Sequence, residues 1–120
     1  NYSEFDSPDV QGSGQMMDES LLQMLDEVRE KFDKPIHITS GYRTYAHNEK
    51  VGGKIPDENG NGGSSHLKGL AVDIACSNSV DRFDLINCLL DVGFSRIGIA
   101  DGFIHADIDS NKSRGVMWTY

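Results

Sequence analysis

Cysteine, long apolar runs and clusters of basic residues are scarce or missing in this 120-residue chain. Its two cysteines, Cys76 and Cys88, are too few for a disulfide scaffold, and we expect them to be small buried apolar residues. Because no CxxC pair or Cys–His cluster occurs, a cysteine-based metal site is not expected. No apolar run approaches the roughly 18 residues of a membrane span, and the first residues lack the pattern of a signal peptide.

The balance of charge is acidic, with a formal net charge of −8 and no block of either sign. Binding to a phosphate backbone needs clustered Lys and Arg, so nucleic acid is not an expected partner. Apolar residues make up 38% of the chain and charged residues 25%, which is typical of a globular domain. Residues 1–16 lack periodicity and predict an extended N-terminal arm, whereas residues 17–120 are expected to form one compact, monomeric domain.

Helical and strand periodicities alternate along the chain. Apolar residues at helical spacing predict one helix from Asp18 to Pro35 and a second that ends at Gly93. The expected apolar side of the second helix consists of Val80, Phe83, Ile86 and Leu90. Short strands are expected around residues 36–39, 70–76, 95–100, 102–108 and 116–120, with a loop over 52–63. The predicted class is therefore α+β, with a mainly antiparallel sheet flanked by helices.

Two of these strands carry polar residues on one face only. Because side chains alternate along a strand, Asp73 lies opposite the apolar face of its strand, between Ala71 and Ala75. His105 and Asp107 likewise share the face opposite the apolar residues of the later strand. An aspartate on a half-buried strand is unfavourable unless it has a partner, and its small neighbours leave room for one. This pattern indicates a site.

A histidine in the preceding loop completes a possible ligand set. His66 lies seven residues before Asp73, and a Gly turn between them lets the loop fold back over the strand. Two imidazoles and a carboxylate with one open position form the usual plan of a catalytic zinc site. The spacing alone leaves open that His66, Asp73 and His105 are hydrogen-bonded structural residues.

Three segments of the sequence resemble one known family. These are ITSGYRT, SSHLKGLAVDI with its motif S-x-H-x-x-G-x-A-x-D, and FIHADI. They resemble the zinc D-alanyl-D-alanine carboxypeptidase family, which includes bacteriophage endolysins and shares its fold with the Hedgehog signalling domain. The resemblance covers roughly residues 17–109 and implies the same fold for this chain.

The resemblance also implies roles for individual residues. The implied zinc ligands are His66, Asp73 and His105. Arg43 is implied to bind or polarise the peptide near its scissile carbonyl or terminal carboxylate, and Ser64 to line the substrate cleft. The chemistry of Arg43 agrees, because a guanidinium binds a carboxylate through two parallel hydrogen bonds. The alternatives are an arginine that caps a turn and a serine that belongs only to the loop.

The general base is less clear from the sequence. Many relatives carry a carboxylate three residues before the last histidine ligand, or a histidine two before it, where this chain has Gly102 and Phe103. Asp101, four residues before His105, is the nearest carboxylate, and we expect it to act as the base. The alternatives are that Asp101 is a solvated turn residue, and that Asp107 orients a ligand imidazole.

The resemblance implies a zinc metallopeptidase that hydrolyses bacterial cell-wall peptides. A D-Ala-D-Ala carboxypeptidase and a phage-type peptidoglycan endopeptidase both fit, acting either as an exported or periplasmic enzyme or as a released phage lysin. The alternative from another class is a non-catalytic, zinc-containing module that binds peptide or cell wall. The missing base favours this alternative and the retained Arg43 disfavours it.

Overall fold

The structure of the protein, a computed structural model, describes residues 1–60 and 62–120, so Asn61 in the predicted 52–63 loop lies outside the described residues. The strands are β1 (Ile38–Ser40), β2 (Ala71–Ala75), β3 (Arg96–Ile99), β4 (Phe103–Asp107) and β5 (Val116–Thr119). The α-helices are α1 (Glu19–Phe32), α2 (Tyr45–Lys50) and α3 (Ser79–Val92), and 3-10 helices cover Tyr2–Phe5, Ser13–Met16 and Ser65–Lys68. The predicted α+β class is confirmed.

The five strands form one mixed sheet in the order β1-β2-β4-β3-β5. The pairs β1–β2, β2–β4 and β4–β3 are antiparallel, but β5 runs parallel to β3. The expectation of a mainly antiparallel sheet is therefore corrected. Strand β4 is paired on both edges, by β2 and β3, and β5, which follows it in the chain, pairs with the other edge of β3 and runs parallel to it.

Helix α1 begins and ends as its sequence predicts. The Asp18 side chain accepts a hydrogen bond from the Leu21 N–H at 3.1 Å and so caps the first turn. Asp33 takes a left-handed conformation with φ of 55° and ends the helix two residues before Pro35. Leu21, Leu25 and Val28 are buried against the sheet and α3. Across the described residues, none of the helices combines the length and the apolar character needed to cross a bilayer.

Helix α3 buries a different side from the one expected. Leu85 and Leu89 are buried in the core, whereas Val80 and Phe83 are 70% and 71% exposed. An α-helix of this composition carries two apolar stripes, and packing against α1 selects one of them. Cys88 on α3 is half-buried and Cys76 is buried, both as free thiols.

The N-terminal segment is folded onto the domain and is not extended. Residues 1–16 contain two 3-10 helices, and Phe5 is buried in the same core as the sheet. The Phe5 carbonyl accepts a hydrogen bond from the Tyr42 N–H at 2.9 Å. A Cβ on Gly41 would lie 2.8 Å from the Phe5 Cα, so the glycine permits this close contact. Phe5 supplies apolar burial that the largely polar composition of this stretch does not suggest.

We expect Gly69→Ala to destabilise the fold. Gly69 ends the 3-10 helix that precedes β2, has a φ of +69°, and would place a Cβ 2.3 Å from the Met16 carbonyl oxygen. The left-handed conformation alone predicts a loss of about 1–2 kcal/mol in the free energy of unfolding. Gly102→Ala is the matched control, because a Cβ there meets nothing within 4 Å. Equal midpoints for the two variants in urea unfolding would contradict this account.

Candidate metal centre

The pairing of β2 with β4 places Asp73 directly opposite His105. Their strand neighbours Val72, Ile104 and Ala106 are fully buried in the core on the other face of the sheet. Since side chains alternate across a strand, burial of these neighbours directs Asp73 and His105 to the face away from the core. The sequence alternation predicts this same arrangement.

The third residue, His66, reaches the sheet from the 3-10 helix before β2. Two contacts with the turn after β1 hold this helix in place. The His66 carbonyl accepts a hydrogen bond from the Arg43 N–H at 3.1 Å, and the His66 Nδ1 lies 2.7 Å from the Gly41 carbonyl oxygen. The Nε2 atom of the same ring lies 3.3 Å from Oδ1 of Asp73. The loop histidine therefore folds back over β2.

The three side chains form a buried cluster that is able to bind a metal ion. One ring nitrogen from each histidine and one carboxylate oxygen of Asp73 all lie within 4.8 Å of one another. Oδ1 of Asp73 is 2.9 Å from His105 Nδ1. The other ring nitrogens are occupied, with His66 Nδ1 at Gly41 and His105 Nε2 at 2.7 Å from Oδ2 of Asp107. This donor set fits zinc, whose histidine ligands usually donate the second ring N–H to an oxygen.

The electrostatics of the cluster keep Asp73 ionised. Burial alone would raise the pKa of Asp73, but hydrogen bonds with His105 and His66 outweigh it and hold this pKa well below its usual range. Burial likewise would lower the pKa of His105, but contacts with Asp107 and Asp73 raise it above the usual value. Asp73 is therefore a carboxylate throughout the neutral range, as a metal ligand must be.

Asp107 contacts His105 at Nε2, the ring nitrogen that does not face Asp73. It is 1% exposed and also accepts a hydrogen bond from Arg96 Nε at 2.8 Å. The Arg96 guanidinium stacks over the Trp118 ring, which lies 5.5 Å from the His105 ring between centroids. The sequence reasoning missed Arg96 and Trp118. The alternation of Arg96 with the buried Ile97 is the signal that places Arg96 on the site face.

Arg43 lies beside the cluster with its guanidinium held from three directions. Its Nη2 is 3.6 Å from Oδ2 of Asp73, its Nε donates to Ser40 Oγ at 3.2 Å, and its Nη1 donates to Asn48 Oδ1 at 3.3 Å. Burial lowers the pKa of Arg43, which Asp73 partly offsets. A guanidinium fixed in this way presents its remaining N–H groups in a defined direction.

The other two predicted site residues differ in position. Ser64 lines the same cavity as the cluster, and its hydroxyl accepts a hydrogen bond from the His66 N–H at 3.2 Å. Asp101 is exposed in the turn between β3 and β4, where Arg82 donates to its carbonyl at 3.4 Å, and it is not among the described residues that line the cavity. The role of Asp101 as general base stays a prediction.

An open cavity of about 830 Å³ lies over this face of the sheet. Its volume is within the range of ligand sites, roughly 300–1,000 Å³. The cluster, Arg43 and Ser64 all line it, together with aromatic residues near the beginning of β4. Phe103 and Tyr120 stack there with ring centroids 5.2 Å apart. The arrangement can hold an extended polar ligand across a bound metal ion.

The α+β domain therefore carries a His-Asp-His cluster able to bind a metal ion in an open cavity. A family model described as Peptidase M15 matches residues 5–107, and the chain belongs to this family. The resemblance read from the sequence motifs is thereby confirmed. Searches of curated proteins and of solved structures found no significant match.

We expect one zinc ion per chain, and its loss in His66→Ala and in His105→Ala, because two remaining ligands hold the ion poorly. Metal analysis after dialysis measures the stoichiometry. Trp118 is the only tryptophan, and its position beside His105 makes its fluorescence a second readout. His37→Ala is the control, since His37 is exposed and outside the cluster. Wild-type protein without metal, or both variants with full metal content, would contradict the assignment.

Asp107→Asn tests the support of His105. A neutral amide is a weaker acceptor for the His105 Nε2–H, so zinc affinity should fall by about 10–100-fold while the fold is retained. Competition with a chromophoric chelator measures the affinity, and circular dichroism checks the fold. Asp101→Asn makes the same chemical change outside the cavity and should bind zinc normally. Normal affinity in Asp107→Asn as well would mean that β4 alone positions the imidazole.

Proposed function

We propose that the protein is a zinc peptidase that hydrolyses bacterial cell-wall peptides next to a D-amino acid. The observation that carries this proposal is the buried cluster of His66, Asp73 and His105 in an open cavity of a peptidase-family chain. These three residues would hold the zinc ion. When bound, zinc polarises a carbonyl and lowers the pKa of a bound water to about 7.

The chain's own residues would bind and orient the peptide around that ion. Arg43 offers a planar, always charged group beside the cluster, suited to a terminal carboxylate or to the scissile carbonyl. Asp107 holds His105 in one orientation through the ring Nε2. This arrangement suits both a D-Ala-D-Ala carboxypeptidase and a phage-type peptidoglycan endopeptidase. The cavity is open, so its shape does not restrict binding to the C-terminal end of a peptide.

Turnover of a synthetic cell-wall pentapeptide that ends in D-Ala-D-Ala tests the proposal. Mass spectrometry identifies the bond that is cut, and thereby separates a carboxypeptidase from an endopeptidase. His66→Ala and chelated wild-type protein are the controls, and both should be inactive. A zinc-loaded wild-type protein that leaves cell-wall peptides and purified peptidoglycan uncut would refute the proposal.

The second candidate is a non-catalytic zinc module that binds the same peptides. Two observations favour it: the usual base positions hold Gly102 and Phe103, and Asp101 is exposed in a turn outside the cavity lining. Tight peptide binding without any cleavage would support this candidate. Measurable cleavage that depends on His66 would exclude it.

Arg43→Lys should reduce activity much more than stability. An ammonium cannot reproduce the two-pronged hydrogen bonding of a guanidinium, so we expect kcat/KM to fall by about 10²-fold, the scale of one transition-state contact. Steady-state kinetics on the pentapeptide and thermal unfolding measure the two effects. Arg29→Lys on α1, outside the cavity, is the control. Near-normal kinetics would mean that Arg43 has only a structural role in the turn after β1.

Asp101→Asn tests the proton acceptor predicted from the sequence. A general base contributes about 10²–10⁴-fold to kcat, so a loss of this size with unchanged zinc affinity would establish Asp101 in the role. The exposed position of Asp101 favours the opposite outcome. Normal turnover in Asp101→Asn, with Asp107→Asn inactive at saturating zinc, would assign the role to Asp107.

A further inference from the structure

The charge that lines the cavity is opposite to the charge of the whole chain. The chain has 19 acidic and 11 basic residues. Among the described residues, the charged groups that line the cavity, histidines aside, are Arg43, Lys54, Arg96, Lys112, Asp73 and Asp107. Four cations therefore face two carboxylates. Such a reversal concentrates anions in the cleft despite the acidic surface around it.

Both carboxylates are already committed to other partners. Asp73 contacts the two histidines of the cluster, and Asp107 contacts His105 and Arg96. Among the described residues, Lys112 has its close ion pair with Asp109, which does not line the cavity, and interacts with Asp107 of the lining only at longer range. Of the two lysines that line the cavity, Lys54 is exposed, whereas Lys112 is half-buried and bonded to another part of the fold.

Lys112 follows β4 and points back into the cavity. Its Nζ donates to Ser65 Oγ at 2.9 Å and is 3.9 Å from Oδ2 of the buried Asp109. Lys68 Nζ is closer to the same oxygen, at 3.2 Å. Two ammonium groups thus share one carboxylate, which leaves one positive charge in excess at this end of the cleft.

The ammonium of Lys112 also has donors to spare. An ammonium carries three N–H donors, and the hydrogen bond to Ser65 uses one of them. The side chain is 26% exposed, so the head group is fixed by Ser65 and yet open to the cavity. Burial lowers the pKa of Lys112, and an anion placed beside it would favour the charged form.

We propose that Lys112 forms a subsite for a second carboxylate of the substrate, separate from the group bound at Arg43. The substrate class is then an acidic peptide with a side-chain carboxylate near the bond that is cut. This inference rests on the proposed function for the peptide nature of the ligand. It does not follow from the family match, which ends at residue 107 and so leaves Lys112 outside.

The position of Trp118 allows binding to be measured apart from cleavage. Trp118 is the only tryptophan and lines the same cavity as Lys112. Its emission, read on rapid mixing before turnover, reports occupancy of the cleft by a peptide. Cleavage in the same samples is followed by mass spectrometry.

The test uses three peptides and the purified, zinc-loaded protein. The peptides are acetyl-Glu-Lys-D-Ala-D-Ala, its glutamine counterpart, and the glutamate peptide with a C-terminal amide. We expect wild-type protein to bind the glutamate peptide about 10–100-fold more tightly than the glutamine peptide, the scale of one hydrogen bond to a charged group. Lys112→Gln should abolish this preference and leave the preference for the free terminal carboxylate unchanged.

Two further variants keep the test decisive. Lys112→Arg retains the cation and should retain the preference for glutamate. Lys31→Gln removes a surface lysine that is paired with Asp91, outside the cavity, and should behave as wild type. An unchanged glutamate preference in a folded Lys112→Gln would overturn the subsite. A Lys112-dependent preference in a protein that cuts neither these peptides nor purified peptidoglycan would support the subsite and refute the peptidase function.

Discussion

The antiparallel pairing of β2 with β4 is the interaction on which the rest of the site depends. Val72, Ile104 and Ala106 are fully buried on one face of this pair, and their burial supplies hydrophobic stabilisation. A slip of one residue would move every one of these side chains to solvent, so the core fixes the register of the two strands. The same register sets Asp73 opposite His105. The apolar face therefore determines the geometry of the polar one.

Side-chain alternation made Asp73 and His105 predictable, since it is a local property of each strand. The position of Asp101 was not predictable in this way. Four residues along a strand span about 13 Å, so the nearest carboxylate in the sequence need not be near in space. The parallel placement of β5 and the buried side of α3 depend on which edges and faces are left free after other elements have packed. These features are decided by tertiary packing and leave no signal in the local sequence.

Ion pairs between buried carboxylates and neighbouring, partly exposed cations surround the cluster. The buried carboxylates are Asp73, Asp107 and Asp109, and the cationic partners that lie nearest them are Arg43, Arg96 and Lys68. Hydrogen bonds keep the pKa of Asp107 and of Asp109 below the usual range despite burial. Truncating one of these carboxylates to alanine would leave its partner without that carboxylate acceptor, which is destabilising. The side chains around the histidines are thus preorganised before any ligand arrives.

The contact of Phe5 with Gly41 connects the N-terminal segment to the cluster through a single intervening residue. The Gly41 carbonyl that accepts from His66 belongs to the residue against which Phe5 is packed. Proteolytic trimming of the first few residues would remove this support and loosen the turn after β1. If the cluster holds a metal ion, that loosening would speed metal exchange at His66, so the segment that carries Phe5 would contribute to how long the ion is retained.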